Sequence, residues 1–278
     1  MTPLLRVKDL SVTFDTPRGP VQAVRDVSFD LGHERLGIVG ESGSGKSQTG
    51  RAILKLIAGN GQVEAGCIEF DGMDIIGASE RDMRLIRGAR ISMIMQDPRY
   101  SLNPVVKVGE QIAEAYRIHS RVSAKEAHKK ALDMLEIVQI RDHEKVYSLY
   151  PHEVSGGMGQ RIMIAMMLIP DPDIIIADEP TSALDVTVQM QVLGLLDDMV
   201  SKRGMGLILI SHDLGLVSSF CDRVVVMYGG RVMEVLEANK LHEAQHPYTK
   251  GLMNCAPRLK DRQTVLPILQ RDPSWLTD

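Results

Sequence analysis

A chain of 278 residues with 44% hydrophobic side chains can bury a substantial core, as one large domain or two small ones. Lys and Arg number 32 against 36 Asp and Glu, a net charge of -4 that argues against a nucleic-acid binder driven by phosphate neutralisation. The three separated cysteines, Cys67, Cys221 and Cys255, have no C-x-x-C spacing, which points away from disulfide, zinc and iron–sulfur frameworks and towards a reducing compartment. The first residues lack the apolar core of a signal peptide. The longest apolar run, Ile162 to Ile169, has eight residues, far short of the roughly 20 needed to span a bilayer. Any membrane role is therefore expected to come through a partner.

In chain order, Leu5–Lys8, Val12–Phe14 and Val21–Phe29 alternate partly and predict strands, with a turn at Thr16-Pro17-Arg18-Gly19-Pro20. Leu36–Val39 predicts a buried strand. It enters Gly40-Glu41-Ser42-Gly43-Ser44-Gly45-Lys46-Ser47, which matches G-x-x-x-x-G-K-[ST]. Glycines let a backbone curl so that successive N–H groups face an anion. The helix predicted from Gln48 to Ile57 adds its positive N-terminal pole. In such a loop Lys46 serves the outer phosphates and Ser47 a magnesium ion. A chance Gly/Ser turn would share the composition but not the strand before it and the helix after it.

Cys67–Phe70 predicts a strand and Asp71-Gly72 a turn. Gln96 follows the strand-like Ile91–Met95. Ala113–Arg117 and Ala124–Val138 have helical periodicity, with Ala127, Ala131, Leu135 and Val138 on one face. Ser123 and Glu126 suit a capping box. Ser155-Gly156-Gly157-Met158-Gly159-Gln160 precedes an apolar helical run and is a second candidate anion site at a helix start. Ile174–Ala177 and Leu207–Ile210 are apolar throughout, as in central parallel strands, and Val188–Val200 predicts the crossover helix between them. The first strand ends in Asp178 and Glu179, placed respectively to hold magnesium and to activate water. The second ends at His212. Arg223–Val235 predicts a hairpin turning at Gly229-Gly230, and a loosely ordered polar tail follows Arg258.

In this order the motifs resemble the ATP-binding-cassette (ABC) ATPases over nearly the whole chain, from Leu5 to about Met253. The resemblance implies an α/β P-loop NTPase cassette: a RecA-like core, an N-terminal antiparallel β subdomain and a helical signature subdomain. It places the domain at 1–257, the helical part at about 97–170 and a short tail at 258–278. It implies ATP and Mg²⁺ as cofactors. Gly40 to Ser47, with Gln48, form the Walker A loop, and Gln96 is the Q-loop glutamine. Ser155, Gly156 and Gly157 belong to the signature, and Ser182-Ala183-Leu184-Asp185 is the D-loop. His212 is the switch histidine. Phe14 falls where the family stacks an aromatic on adenine, with Phe in place of the more usual Tyr. Catalysis falls to Glu179, His212 and Lys46, and the metal to Ser47, Gln96 and Asp178.

Within the family the chain is similar to the peptide/nickel importer group, through Thr16–Pro20, Gln96–Pro104 and His246–Leu252. Met158 matches the first of that group's two ATPase types. Two departures stand out: Gly159 replaces the usual Arg, and the group's cysteine-rich C-terminal segment has no counterpart, so no cluster is expected. The resemblance implies a head-to-tail pair with a second ABC ATPase, the same or different. Ser155–Gly157 would there reach the γ-phosphate held by the partner. Further implied partners are two transmembrane permease subunits and, through them, an extracytoplasmic solute-binding protein, with no nucleic acid. The expected location is peripheral, on the cytoplasmic face of the inner membrane. Tyr100, Leu102 and Val105 are candidates to line a groove for the permeases or to pack within the domain. Peptides rank first as cargo, ahead of nickel or metal chelates and then opines or sugars. A soluble non-transport ABC ATPase is the remaining alternative.

Overall fold

Alternating apolar residues fold the N-terminal segment into a hairpin of β1 (Leu5–Thr16) and β2 (Gly19–Leu31), antiparallel from Leu5↔Leu31 to Thr16↔Gly19. The structure, a computed structural model, describes residues 3–97, 101–181, 185–255, 269 and 271–276. The pairing slips between Val7 and Leu10, where Asp9 takes a left-handed φ of 52° and gives the long strand its bend. Next come β3 (Arg35–Val39) and α1 (Lys46–Ile53). This helix starts earlier and stops sooner than the expected Gln48–Ile57. Lys55 turns left-handed at φ 51°, and its ammonium donates to the Ile76 and Ala78 carbonyls at 2.9 Å. Distant acceptors thus end a helix that local propensity would continue.

Strands β4 (Gly61–Glu64) and β5 (Cys67–Phe70) both pair antiparallel with β1, and β6 (Met73–Asp74) pairs with β5 across the Asp71-Gly72 turn. Then follow α2 (Glu80–Ile86), β7 (Ile91–Ile94), α3 (Val108–His119), α4 (Ala124–Ile137) and α5 (His143–Tyr147). The Ser123 hydroxyl caps α4 by accepting from the Glu126 N–H at 3.2 Å, one half of the expected box. The predicted face, Ala127, Ala131, Leu135 and Val138, is buried. The remaining elements are α6 (Gly156–Leu168), β8 (Ile174–Asp178), α7 (Val186–Arg203), β9 (Gly206–Ser211), α8 (Leu214–Phe220), β10 (Arg223–Tyr228), β11 (Arg231–Glu237) and α9 (Pro247–Cys255).

These elements group into two units, Met1–Ala78 with Ile208–Asp278, and Ser79–Leu207. The first holds the antiparallel sheet in the order β2-β1-β5-β6, with β4 also on β1. It also holds β3 running parallel to β10, from Leu36↔Arg223 to Val39↔Val226, with the β10–β11 hairpin turning at Gly229-Gly230 as expected. The second holds the parallel pair β7–β8 and the packed helices α3, α4 and α6. All five residues of β8 are buried, as its uninterrupted apolar run requires. Within the tail, Pro273–Leu276 form a 3-10 turn. Among the described residues no helix is long and apolar enough to cross a membrane.

Candidate active site

In the first unit, β3 delivers the chain to a glycine loop whose conformation needs glycine. Gly45 has φ 95°, and a Cβ there would strike the Ala23 carbonyl oxygen. Gly40, at φ 154°, would bring a Cβ against the Met227 carbonyl oxygen. Gly45 is also the N-cap of α1, so no side chain caps the helix, and its first turn carries no acid. The positive pole of the helix therefore faces the loop without a side-chain carboxylate against it. Lys46, the first helical residue, is only 6% exposed. A buried ammonium needs acceptors, and it takes the Gly40 and Glu41 carbonyls, both at 2.8 Å, and the Ser44 hydroxyl at 3.4 Å. Ser47 and Gln48 follow half-buried, while Ser42 and Gly43 are exposed. Phe14 lies on β1 between Val21 of β2 and Gly61 of β4, with its ring over Gly61. His212, the residue after β9, is exposed, and Asp213 beside it caps α8 by accepting from the Leu216 N–H at 3.0 Å.

In the second unit, register does the positioning. The β7–β8 pairing sets Ile94 opposite Ala177, so two residues further on Gln96 and Glu179 emerge side by side. The Gln96 amide Nε2 donates to Glu179 Oε2 at 3.0 Å. Asp178, the last residue of β8, is 4% exposed. Glu179 has a left-handed φ of 48°, a strained state for a non-glycine residue that costs on the order of 1 kcal/mol.

Ser155 caps α6 through its hydroxyl, which accepts from the Met158 N–H at 3.3 Å. Ser155 and Gly156 are exposed, Gly157 is half-buried and Gly159 is buried. Gln160 is 2% exposed and its amide donates to the Pro180 carbonyl at 2.8 Å, tying the start of α6 to the residue after Glu179. In the sequence Gln160 reads only as the last residue of the Ser155–Gln160 motif; a glutamine at the head of an apolar helical run is the one signal of a structural tether. A cavity of about 370 Å³ beside this turn is lined by Leu102, Pro104, Pro151, Val154 and Gly159 among others. Leu102 lines it and is also buried against the unit, whereas Val105 is 78% exposed. Tyr100 and the D-loop residues Ser182, Ala183 and Leu184 lie outside the described residues. Asp185 of that loop caps α7, accepting from the Val188 N–H at 3.0 Å.

Known proteins are similar to this chain in sequence and fold. Residues 24–182 match the family model described as ABC transporter. The oligopeptide transport ATP-binding protein OppD of Escherichia coli (strain K12) is 48% identical over 276 residues, covering 98% of this chain and 82% of OppD. The dipeptide transport ATP-binding protein DppD of Bacillus subtilis (strain 168) is 50% identical over 262 residues, covering 93% of this chain and 78% of DppD. A solved dimeric ATP-binding cassette in a post-hydrolysis state, bound to ADP and Pi, matches with TM-score 0.77 at 25% identity, covering 84% of this chain and 98% of that one. The chain belongs to the ABC transporter family of ATP-binding cassettes. Its fold is the α/β P-loop cassette, and its activity is ATP hydrolysis.

Proposed function

We propose that this chain energises peptide import, as a peripheral subunit on the cytoplasmic face of a membrane channel. The names of relatives at 48–50% identity support the cargo class. Met158 in the signature supports the first-type subunit of a two-ATPase importer. On this reading the domain runs 1–257, with residues 97–170 as the helical subdomain. Its partners are a second cassette, two permease subunits and, through them, a solute-binding protein. The exposed Val105 and the cavity at Leu102 suit a permease segment.

One observation carries the site assignment: the Lys46 ammonium held by its own loop beneath an uncapped helix start. Phosphate oxygens replace the Gly40 and Glu41 carbonyls around Lys46, and the α1 N–H groups take the remaining charge. Phe14 stacks on the adenine. Ser47, Asp178 and Gln96 are oxygen donors, the type that suits magnesium. Among the described residues there is no group of three or more His, Cys, Asp or Glu that could hold a metal; on this reading the ion is shared with the substrate phosphates. When bound, the ion offsets charge on the phosphate oxygens. Glu179 releases Gln96, orients water on the γ-phosphorus and takes its proton as ADP leaves. His212 stabilises charge on the transferring group. Ser155, Gly156 and Gly157 close over the γ-phosphate bound to the opposite cassette, so ATP favours the closed pair and hydrolysis releases it.

The test is reconstitution of the cassette with its permeases and binding protein. Peptide-loaded binding protein should stimulate ATP turnover, and the Glu179→Gln variant should hold ATP without turning over. Stimulation by a nickel chelate and not by peptide would reassign the cargo.

A further inference from the structure

Near the C-terminus Arg271 touches the phosphate loop, and the contact falls on Glu41. Its carboxylate Oε1 accepts from Arg271 Nη2 at 2.9 Å. Its backbone N–H donates to the Tyr248 hydroxyl at 3.2 Å. Its carbonyl accepts from the Lys46 ammonium at 2.8 Å. One loop residue therefore connects the tail, α9 and the phosphate lysine.

The tail is anchored independently of that ion pair. The Trp275 ring centroid lies 5.7 Å from Tyr228, 5.8 Å from Tyr248 and 5.8 Å from His246, with steep interplanar angles. Tyr248 is fully buried and also packs on Tyr228 at 4.6 Å. Leu276 sits over the hairpin turn at Gly229, and Leu269 over Gly251, each where a Cβ would collide with it. Burial pushes the Tyr248 phenol up to about 12, so it stays neutral and keeps accepting from Glu41 at working pH. That bond turns the Glu41 N–H towards the phenol rather than towards a phosphate.

A carboxylate in the second position of a polyphosphate loop repels its ligand. Arg271 stands against that carboxylate. We propose that residues 271–276 form a strap on the phosphate loop, and that Arg271 is a positioning residue that offsets the Glu41 charge and so raises ATP affinity. The inference rests on the reading of Gly40–Ser47 as the ATP phosphate cradle. Arg271 is 64% exposed, so solvent screens the pair and its effect is modest. The ring cluster fixes the strap while the ion pair sets the charge.

The test uses the full chain, with ATP affinity measured by competition against a fluorescent nucleotide and with Trp275, the chain's single tryptophan, as an intrinsic probe of docking. Arg271→Ala should weaken ATP binding about three- to fivefold at low salt, and the difference should shrink at high salt. Arg271→Lys should recover most of it. In a Glu41→Gln background Arg271→Ala should add nothing, because no charge is left to offset. In the assembled transporter the KM for ATP should rise by more than any fall in kcat. Trp275→Ala should weaken binding further than Arg271→Ala, since Tyr248 loses its packing. Wild-type affinity in Arg271→Ala at low salt, or an equal loss in the Glu41→Gln background, overturns the strap. Lys46→Ala is measured alongside: if it binds ATP normally the cradle reading falls, whereas a defect there with none in Arg271→Ala removes the strap alone.

Discussion

The phosphate loop and the signature turn are both glycine-rich helix starts, yet they are built in opposite ways. The loop is finished within one unit: Lys46 is buried among carbonyls of its own loop, and the helix above it has no side-chain cap. The signature turn spends its one hydroxyl on capping α6 and leaves Ser155 and Gly156 facing outward. The first holds its cation and its helix pole together within one stretch of chain. On the proposed reading the second is a lid whose base lies on the opposite cassette, because an exposed cap and two glycines do not by themselves enclose a phosphate. Changes in the loop should therefore show in the isolated chain, and changes in the turn only in the assembled pair.

The largest effect should come from Lys46→Ala. It removes the ammonium that gives charge-assisted bonds worth about 1.5–3 kcal/mol each, so ATP affinity of the isolated chain should fall by about a hundredfold or more. Titration calorimetry on the single subunit measures it. Normal affinity would show that the loop is not self-sufficient and dissolve the contrast. Glu179→Gln comes next. Loss of a general base costs about 10²–10⁴ in rate, so turnover in the transporter should drop by that factor while ATP binding persists. The amide can still pair with Gln96, so the strand ends should stay in place. His212→Ala should slow hydrolysis less, by about tenfold to a hundredfold, below the loss of a full oxyanion donor because the side chain is exposed. A defect in ATP binding instead of turnover would move His212 out of the catalytic step.

How much of this was written in the sequence depends on how far apart the participants lie. The loop, β8 and the Gly229-Gly230 hairpin were legible because each is a contiguous signal: a fixed spacing, a solid apolar run, a glycine pair between alternating strands. Side-by-side placement of Gln96 and Glu179 was half legible. The strands could be seen, but only the Ile94↔Ala177 register brings the two side chains to 3.0 Å. The end of α1 was not legible, since the acceptors for Lys55 lie at Ile76 and Ala78. The bonds from Glu41 to Tyr248 and Arg271 span 207 and 230 residues, beyond any periodicity argument. In the sequence Tyr248 reads as part of the group-like His246–Leu252 segment and Arg271 as part of a polar tail. No local pattern assigns either one a partner.

The smallest effect in the isolated chain, and the sharpest probe of the contrast, belongs to Ser155. Ser155→Ala removes the α6 cap at a cost of about 1 kcal/mol, visible as a fall in melting temperature of about 2 °C. That change alone could lower activity through stability, so a second variant separates the two roles. Asn caps helices about as well as Ser, so Ser155→Asn should melt at the wild-type temperature. On the proposed reading it replaces the hydroxyl with a bulkier amide facing the γ-phosphate of the opposite cassette. Both variants should bind ATP normally as isolated subunits, because the proposed reading gives the turn no part in its own chain's cradle. In the transporter both should lose turnover, with Ser155→Asn losing it despite unchanged stability. If Ser155→Asn restores wild-type turnover in the transporter, the turn acts only as a helix cap, and the two glycine-rich sites do not share a nucleotide.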